Sequence, residues 1–359
     1  MSVSLIVAGG GTGGHLFPGV AVARELMARV PGAAVTFVGT AAGIESRVIP
    51  REGLTLETIR SAGLKGKSPV ALLRGLLLLP LSALDAWRVI SRRRPSVVIG
   101  VGGYSSGPVV ALAALRGVPT LLMEQNATPG LTNRLLSRIV RTAAVTYEES
   151  LATFGSKAFV AGNPVRPEFF STAASERAAD GRTRVLVFGG SQGAHAINVA
   201  MADGAKALAA ASPAVEVTHQ TGERDLSMVR EAYAAAGLAS RVEPFLYEMD
   251  REMRAADVIV CRSGATTLAE LTAAGRTAIL IPLPTATDDH QRKNADALVR
   301  QGAARVIDQR ELTGARIADE VLALARDAGA RERMAAVARA MARPDAARVI
   351  VDKVLELAR

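Results

Sequence analysis

The chain has 359 residues, of which 49% are hydrophobic and 21% charged, so an intrinsically disordered protein is excluded and about two domains are expected. Its net charge of +9 indicates an anionic partner, either a phosphorylated small molecule or an acidic membrane surface. Aromatic residues make up only 4%, and no basic stretch is interleaved with stacking side chains, so no nucleic acid partner is expected.

The amino-terminal sequence predicts a Rossmann-like βαβ unit. A strand is expected at Ser4 to Ala8, a helix from about Pro18 to Arg29 and a second strand at Val35 to Val38. The glycine segment Gly9 to His15 separates the first strand from the helix and formally contains GxGxxG. The second strand ends in Gly39-Thr40, without the acidic residue that dinucleotide-binding enzymes place there for the ribose. A nicotinamide or flavin site is therefore not favoured.

His15 closes this glycine segment, where the backbone can approach a ligand closely. It either satisfies a loop carbonyl or acts on a substrate. Because it is the only group of the segment that can accept a proton near pH 7, we favour the functional interpretation.

The segment from Lys65 to Arg94 combines basic residues with apolar ones, including Leu76 to Leu79 and the single tryptophan, Trp87. Two interpretations stay open: an interfacial element that binds anionic lipid, or an ordinary helix packed on the sheet with a solvated basic end. No secretory signal is apparent, and the longest uncharged run, 95–115, is interrupted by Gly102 to Pro108. We therefore expect a cytoplasmic chain that is soluble or attached to a membrane surface.

Further strands are predicted at Ser96 to Val101 and Pro119 to Met123. The first leads into a loop with Gly103, Tyr104 and Ser105, and the second delivers Glu124-Gln125-Asn126 at its carboxyl end, where open α/β sheets bind ligands. A domain boundary is predicted after these strands, at Gly162 to Pro167, where the chain turns and then becomes small and polar.

The second half repeats the beginning of the chain. A strand at Val185 to Phe188 precedes Gly189 to His195, which aligns with Gly9 to His15 without a gap. Further strands are expected after Val215 and after Arg241. The repeat predicts two Rossmann-like domains in tandem, whose strand ends face a central cleft.

A strand at Val258 to Cys261 feeds Arg262 to Thr267 into a helix that Gly275 ends. Such a helix start suits a phosphate, because unpaired N–H groups and the positive end of the helix dipole point at one spot. Glu270 lies one turn further along the helix, where it either accepts hydrogen bonds from a ribose diol or merely complements the helix dipole. Cys261, the only cysteine, excludes a disulfide framework and is better explained as a small buried hydrophobe than as a nucleophile.

The last predicted strand, Ala278 to Ile281, is followed by a loop in which Asp288 or Asp289 is expected to cap the next helix. His290 and Gln291 lie one strand beyond the Glu270 loop and are expected in the same site. Helices are expected from Arg316 to the end. We divide the chain into domains at 1–163 and 164–340, with a carboxyl-terminal helix at 341–359 that packs back toward the first domain.

Seven stretches together resemble the MurG family of bacterial glycosyltransferases, and they span nearly the whole chain in order. They are GGGTGGH at Gly9 to His15, GGYSSGP at Gly102 to Pro108, EQN at Glu124 to Asn126, GNPVR at Gly162 to Arg166, GGSQGA at Gly189 to Ala194, CRSGATTLAE at Cys261 to Glu270 and DDHQRKNA at Asp288 to Ala295.

The resemblance implies a GT-B fold and an inverting transfer of N-acetylglucosamine from UDP-N-acetylglucosamine. The implied acceptor is O4 of the muramoyl residue of undecaprenyl-pyrophosphoryl-N-acetylmuramoyl-pentapeptide, in peptidoglycan synthesis. It implies a peripheral enzyme on the cytoplasmic face of the cell membrane, with cell-wall synthesis and division proteins as further partners. No cofactor is implied, and the absence of Asp-x-Asp agrees with a site that needs no metal.

Site residues follow from the resemblance by matching position. His15 is the implied base or acceptor-positioning group, Glu270 binds the uridine ribose, and Ser191 and Thr267 bind the diphosphate. Family members commonly carry histidine where this chain has Met123, which weakens a proton relay there. The implied donor-binding set is Thr12, Gly13, Gly14, Asn126, Arg166, Ser191, Gln192, Asn198, Phe245, Leu246, Ala265, Thr266, Thr267, Glu270, His290 and Gln291, and the acceptor-binding set is Gly103, Tyr104 and Ser105.

Alternatives within the fold are a transferase acting on another lipid and a UDP-N-acetylglucosamine 2-epimerase. A dinucleotide oxidoreductase and a two-domain binding protein without catalysis are the alternatives from other classes.

Overall fold

The computed structural model describes residues 3–61, 69–171, 181–190 and 192–359, and of residues 69–77 it describes the backbone alone. Contacts within the chain define two units, one formed by Met1–Val165 with Arg343–Arg359 and the other by Arg166–Ala342. Each unit is built on one parallel sheet.

The first unit contains seven strands. They are β1 (Ser4–Gly9), β2 (Ala34–Gly39), β3 (Thr55–Thr58), β4 (Val97–Gly102), β5 (Thr120–Glu124), β6 (Thr142–Val145) and β7 (Ala158–Val160). All pair in parallel, in the order β3-β2-β1-β4-β5-β6-β7. The strand order reverses between β1 and β4, and ligands of open α/β sheets bind at the carboxyl ends beside such a point. The two predicted loops of this half, Gly9 to His15 and Gly102 to Ser105, follow these two strands.

Both faces of this sheet are buried, which explains why its central strands are continuous apolar runs. In β1, Leu5 and Val7 belong to one core cluster, while Ile6 and Ala8 belong to another. Successive side chains of a strand point to opposite faces, so the two clusters cover the two sides of the sheet.

Among the residues that the structure describes, the first unit also has six α-helices before the chain crosses to the second. They are α1 (Gly13–Arg29), α2 (Glu45–Arg51), α3 (Pro69–Arg93), α4 (Ser106–Leu115), α5 (Leu131–Leu136) and α6 (Leu151–Phe154). The prediction that α1 starts near Pro18 is wrong, because the helix begins five residues earlier. Its N-cap is Thr12, whose carbonyl accepts hydrogen bonds from the N–H groups of His15 (3.3 Å) and Leu16 (3.2 Å). Glycines that suggest a loop thus form the first helical turn, and His15 lies on the helix.

The second unit repeats this architecture with six parallel strands in the order β10-β9-β8-β11-β12-β13. They are β8 (Thr183–Phe188), β9 (Val215–Gln220), β10 (Ser240–Glu243), β11 (Val258–Cys261), β12 (Thr277–Leu280) and β13 (Ala304–Val306). The order reverses between β8 and β11, which carry the second glycine segment and the Arg262 to Thr267 loop. The prediction of two Rossmann-like domains on parallel sheets is confirmed.

Helices α7 to α14 surround this second sheet. They are α7 (His195–Asp203), α8 (Ala205–Ala209), α9 (Leu226–Ala236), α10 (Met249–Ala255), α11 (Ala265–Ala274), α12 (His290–Gln301), α13 (Gly314–Arg326) and α14 (Ala328–Met341). The chain then returns to the first unit as α15 (Ala346–Leu357), whose Ile350, Val351 and Val354 join the core cluster of Leu5 and Val7. Within the described ranges, no helix combines the length and the apolar character needed to cross a membrane.

Candidate functional site

In the first unit, the loops that follow β1 and β4 touch through their backbones. Gly10 N lies 3.4 Å from Gly102 O, and a Cβ on Gly103 (φ +80°) would lie 2.6 Å from Gly10 O. Only glycine permits this approach. The His15 ring borders the same place, because a Cβ on Gly102 would meet its Cδ2 at 3.0 Å and its Nε2 at 3.2 Å.

The predicted acceptor residues lie around this contact. Tyr104 is partly exposed, and its ring edge lies 3.6 Å from where a Cβ on Gly11 would be. Ser105 is buried, and Ser106 Oγ donates to Gly103 O at 2.9 Å, which fixes the turn into α4. The structure thus brings His15, Gly103 and Tyr104 together, with Thr12, Gly13 and Gly14 at the start of α1.

Asn126 is oriented by a buried carboxylate on the strand before it. Glu124 accepts hydrogen bonds from Asn126 N (3.0 Å), Asn126 Nδ2 (3.1 Å), Gly130 N (3.0 Å) and Asn133 Nδ2 (2.9 Å). Burial raises the pKa of Glu124 above its ordinary value, although these four hydrogen bonds act in the opposite direction.

Met123, the residue at the family's usual histidine position, is buried in the core cluster of β1 and has no access to a ligand.

In the second unit, the glycine loop after β8 approaches the turn after β9. A Cβ on Gly193 or on Gly222 would overlap the backbone of the other loop, so both positions need glycine. Gln192 is exposed, whereas Asn198 on α7 is buried and donates through Nδ2 to Thr221 O at 2.9 Å. Ser191, the predicted diphosphate ligand of this loop, lies outside the described residues.

Helix α11 starts at Ala265, inside the stretch Arg262 to Thr267 that was predicted to precede it, with Gly264 as its N-cap. Leu268 N makes the first helical hydrogen bond, to Gly264 O at 3.0 Å, so Ala265, Thr266 and Thr267 form the first turn ahead of it. Their N–H groups point out of the helix end, as an anion site requires. Gly275 ends the helix with φ +58°, as predicted.

Glu270 lies half-buried on α11, one turn beyond Thr266 and Thr267. Burial raises the pKa of its carboxyl to about 7, and the nearby charge of Arg166 acts in the opposite direction. Arg166 itself is exposed and stacks over Phe169 at 5.1 Å.

Burial also raises the pKa of Cys261 to about 12, so this thiol is protonated and fits the interpretation as a buried hydrophobe.

The loop after β12 joins the loop after β11, as the parallel pairing of these strands requires. Ser263 Oγ donates to Gln291 O at 2.8 Å, and Gln291 Oε1 accepts from Leu283 N at 3.0 Å. His290 Nδ1 lies 2.6 Å from Thr287 O. Asp289 occupies the N-cap position of α12, but its side chain makes no capping hydrogen bond and its backbone is left-handed (φ 55°).

The predicted uracil contact lies after β10. Phe245 is partly exposed and meets Tyr247 edge to face at 4.9 Å between ring centroids. Leu246 is buried, and its N–H donates to Gln220 Oε1 at 3.3 Å. The same Gln220 side chain donates through Nε2 to Gly190 O at 2.8 Å, so it links this loop to the second glycine loop.

Sequence reasoning missed three buried residues that hold these loops: Gln220, Glu45 and Asp225. Glu45 begins α2 and Asp225 precedes α9, where an acid is ordinary at a helix start, so only the folded structure reveals what their carboxylates bind. No motif or spacing could have identified them.

Comparisons with known proteins identify a family. Residues 5–145 match the glycosyltransferase family 28 N-terminal domain, and residues 184–350 match the glycosyltransferase family 28 C-terminal domain. The chain is 46% identical over 356 residues to a protein of Anaeromyxobacter sp. (strain K), covering 99% of this chain and 93% of the relative. A protein of Myxococcus xanthus (strain DK1622) is also 46% identical over 356 residues, with the same coverage of 99% and 93%. Both relatives are named UDP-N-acetylglucosamine--N-acetylmuramyl-(pentapeptide) pyrophosphoryl-undecaprenol N-acetylglucosamine transferase.

Among solved structures, MurG of Acinetobacter baumannii is similar with a TM-score of 0.80 and 31% identity, and 99% of each chain is covered. UDP-GlcNAc 2-epimerase from Neisseria meningitidis is similar with a TM-score of 0.69 but only 13% identity, covering 99% of this chain and 100% of that one. The second likeness shows a shared fold alone.

Proposed function

The chain belongs to glycosyltransferase family 28, and within it to the MurG transferases, and from this premise we propose how its residues perform the transfer. The enzyme is a hexosyltransferase. Its reaction moves N-acetylglucosamine from UDP-N-acetylglucosamine to the muramoyl residue of the lipid-linked pentapeptide acceptor, as the names of its relatives state for them.

The donor site is assigned to the second unit. The start of α11 at Thr266 and Thr267 takes the diphosphate, and Glu270, one turn on, accepts hydrogen bonds from the ribose diol. This spacing of helix start and half-buried carboxylate is the observation that carries the proposal. We assign the uracil to the loop at Phe245 and Leu246, and the sugar to Gln291.

The chemistry is an inverting displacement at the anomeric carbon. The acceptor hydroxyl attacks this carbon on the side opposite UDP, the bond to the diphosphate oxygen breaks, and the hydroxyl proton passes to His15 in the first unit. The leaving diphosphate gains negative charge, which the N–H groups and dipole at the start of α11 stabilise. We propose that this stabilisation operates without a metal ion.

A dinucleotide oxidoreductase is not supported. The first acid after β2 is Glu45, which is buried and bonded to Gly11 N and Thr40 N at 2.8 Å each. Its carboxylate is therefore not presented to a ribose, as that class requires.

The direct test is transfer of labelled N-acetylglucosamine from its UDP donor to a lipid-linked muramoyl-pentapeptide. Wild-type protein should form the disaccharide product. Retained UDP binding without any transfer would contradict this acceptor, and interconversion of the free UDP-sugar would identify an epimerase.

We further propose that the first unit docks on an anionic membrane surface. Helix α3 buries Ala86, Val89 and Ile90 against the sheet and exposes other apolar side chains. The exposed set continues onto α4, which packs beside α3, and onto α5 and the turn after it, where α5 packs beside α4. Its members are Leu79, Leu81, Leu84, Trp87, Leu115, Leu131, Leu135 and Ile139, and we call them the apolar patch.

Basic residues accompany the apolar patch, as binding to anionic headgroups requires. Arg116 stacks over Trp87 at 4.3 Å, and Arg88, Arg134 and Arg138 lie on the same helices or next to them. Arg92 and Arg93, at the end of the predicted basic segment, are instead paired with Glu57. Lys65 and Lys67 lie outside the described residues.

Replacing both Leu84 and Trp87 by serine should weaken binding to vesicles that contain anionic lipid by about tenfold, because two apolar side chains no longer enter the interface. Vesicle sedimentation measures this. Met27→Ser is the matched control, since Met27 is similarly exposed but lies on α1, outside the patch. Equal binding by the double variant and the control would contradict the docking surface.

A further inference from the structure

After the second strand of each sheet comes a buried acidic residue whose carboxylate bonds to the glycine segment of its unit, Gly9 to His15 or Gly189 to His195. Glu45 comes shortly after β2, and Asp225 shortly after β9. Both strands pair with the strand that carries the glycine loop of their unit. Each strand is followed directly by a threonine, Thr40 or Thr221. A buried carboxylate that bonds to the glycine segment is therefore common to both units.

Glu45 is completely enclosed beneath the first glycine loop. One carboxylate oxygen accepts from Gly11 N at 2.8 Å, and the other accepts from Thr40 N at 2.8 Å and Thr40 Oγ1 at 3.1 Å. The side chain also fills the space beside Gly10, Gly39 and Gly43, where any Cβ would collide with it. Hydrogen bonds of this kind offset the cost of burying a carboxylate, so Glu45 ties the first glycine loop to the turn after β2.

Asp225 performs the corresponding task in the second unit. Its carboxylate accepts from Asn198 Nδ2 at 2.9 Å and from His195 Nδ1 at 3.0 Å. Burial acts to raise the pKa of Asp225, but the hydrogen bonds from Asn198 and His195 and the charges of His195 and Arg224 outweigh it, so the pKa lies below its ordinary value. Asp225 is therefore ionised, and it holds α7 at its first residue, where the glycine loop ends.

The orientation of Asn198 follows from its acceptor neighbours. Thr221 O and the Asp225 carboxylate only accept hydrogen bonds, so Asn198 Nδ2 donates to both, at 2.9 Å each. Burial lowers the pKa of His219 to about 3, so this imidazole is neutral. Its Nε2–H therefore donates to Asn198 Oδ1 at 3.1 Å, and its Nδ1 accepts from the Tyr233 hydroxyl at 2.9 Å.

We propose that Glu45 and Asp225 are positioning residues of the transfer reaction, one for each glycine loop. Glu45 holds the loop that leads to His15, and Asp225 holds the start of α7 and Asn198, which belongs to the implied donor-binding set. This inference rests on the proposed function, because it assigns proton transfer to His15 and donor binding to the second unit. Their replacement must therefore affect different kinetic constants.

The decisive experiment compares Glu45→Gln and Asp225→Asn in the transfer assay, after wild-type transfer has been established. A glutamine amide places N–H groups against Gly11 N or Thr40 N, so the first loop shifts, and kcat should fall about 10- to 100-fold with the donor KM within twofold. In Asp225→Asn the carboxylate that accepts from His195 and Asn198 is lost, and the donor KM should rise about tenfold with kcat within threefold.

Matched controls are Glu52→Gln and Glu320→Gln, whose carboxylates make surface ion pairs with Arg24 and with Arg305 and Arg316. Both controls should retain wild-type constants. If Glu45→Gln or Asp225→Asn does not fold, a milder variant replaces it. Thr40→Val removes one hydrogen bond to Glu45, and His195→Ala removes one hydrogen-bond partner of Asp225. Thr40→Val should lower kcat about three- to fivefold and leave the donor KM nearly unchanged. His195→Ala should raise the donor KM about three- to fivefold and leave kcat nearly unchanged.

A purely structural role is the outcome that overturns the proposal. It would appear as kcat and donor KM changing together in both variants, or as unchanged constants in folded protein. If the wild type binds UDP but transfers nothing, the proposed acceptor is wrong, and UDP affinity then tests the inference. Asp225→Asn should lower the affinity for UDP about tenfold, and Glu45→Gln should leave it unchanged. Equal UDP affinity in the two variants would refute the inference.

Discussion

Replacing His15 by alanine should lower kcat by about 10²- to 10⁴-fold, the range expected for loss of a general base. The imidazole lies in the first turn of α1, beside Gly102 and close to Thr12 Oγ1, with Nδ1 3.4 Å from that oxygen. The base acts on the acceptor hydroxyl, whereas the donor is held by the second unit. UDP affinity should therefore stay within twofold of the wild-type value.

His15→Gln separates proton transfer from positioning. Glutamine can still hydrogen-bond an acceptor hydroxyl, but it cannot take up its proton near pH 7. If His15 is the base, glutamine should be as defective as alanine, and the acidic limb of the kcat profile should disappear. If glutamine restores most of the rate, His15 is a positioning group instead. Full activity of His15→Ala would remove the residue from the mechanism.

The glycine loops were predictable because their chemistry is local. A strand, a run of small residues and a helix are adjacent in sequence, and β1 and β8 both show this pattern. Their placement at the two points of strand-order reversal then follows from the parallel topology. The start of α1 was missed for a related reason: glycines at 13 and 14 suggest a loop, but the first turn of a helix needs few intrahelical hydrogen bonds and tolerates them.

The features that could not be predicted depend on contacts between distant elements. Glu45 meets Gly11 across 34 residues, and Asn198 meets Asp225 across 27, and neither pair has a sequence signature. The apolar patch likewise combines exposed side chains from α3, α4 and the region of α5, whereas the sequence indicated only the part on α3. Short strands such as β3, β7 and β13 were also missed, because three or four residues carry too little periodicity.

Donor affinity should depend on the ionisation of Glu270. Burial raises the pKa of this carboxyl to about 7, so the free enzyme holds a proton there below neutral pH. A ribose diol donates two hydrogen bonds, which only the ionised carboxylate can accept in full. UDP binding should therefore weaken by about tenfold for each pH unit below 7, since one proton must be released on binding. Glu270→Gln should bind weakly at all pH values and lose this dependence.

The raised pKa of Glu270 also predicts how the stability of the protein changes with pH. The folded protein holds the Glu270 proton more tightly than the unfolded chain, so this group adds stability that is complete below its unfolded pKa and is lost as pH rises through about 7. Relative to Glu270→Gln, the wild-type free energy of unfolding should fall by about 2–3 kcal/mol between pH 5 and pH 8.

Isothermal titration with UDP and thermal melts, each measured from pH 5.5 to 8.5, test both expectations on the same samples. UDP should restore the wild-type melting temperature most strongly at high pH, where the ionised carboxylate is unfavourable without its ligand. Parallel pH profiles for wild type and Glu270→Gln would show that the carboxylate neither titrates near neutrality nor contacts the ribose. In that case the start of α11 alone would bind the nucleotide, through its diphosphate, and the carboxylate one turn on would serve only the packing of the helix.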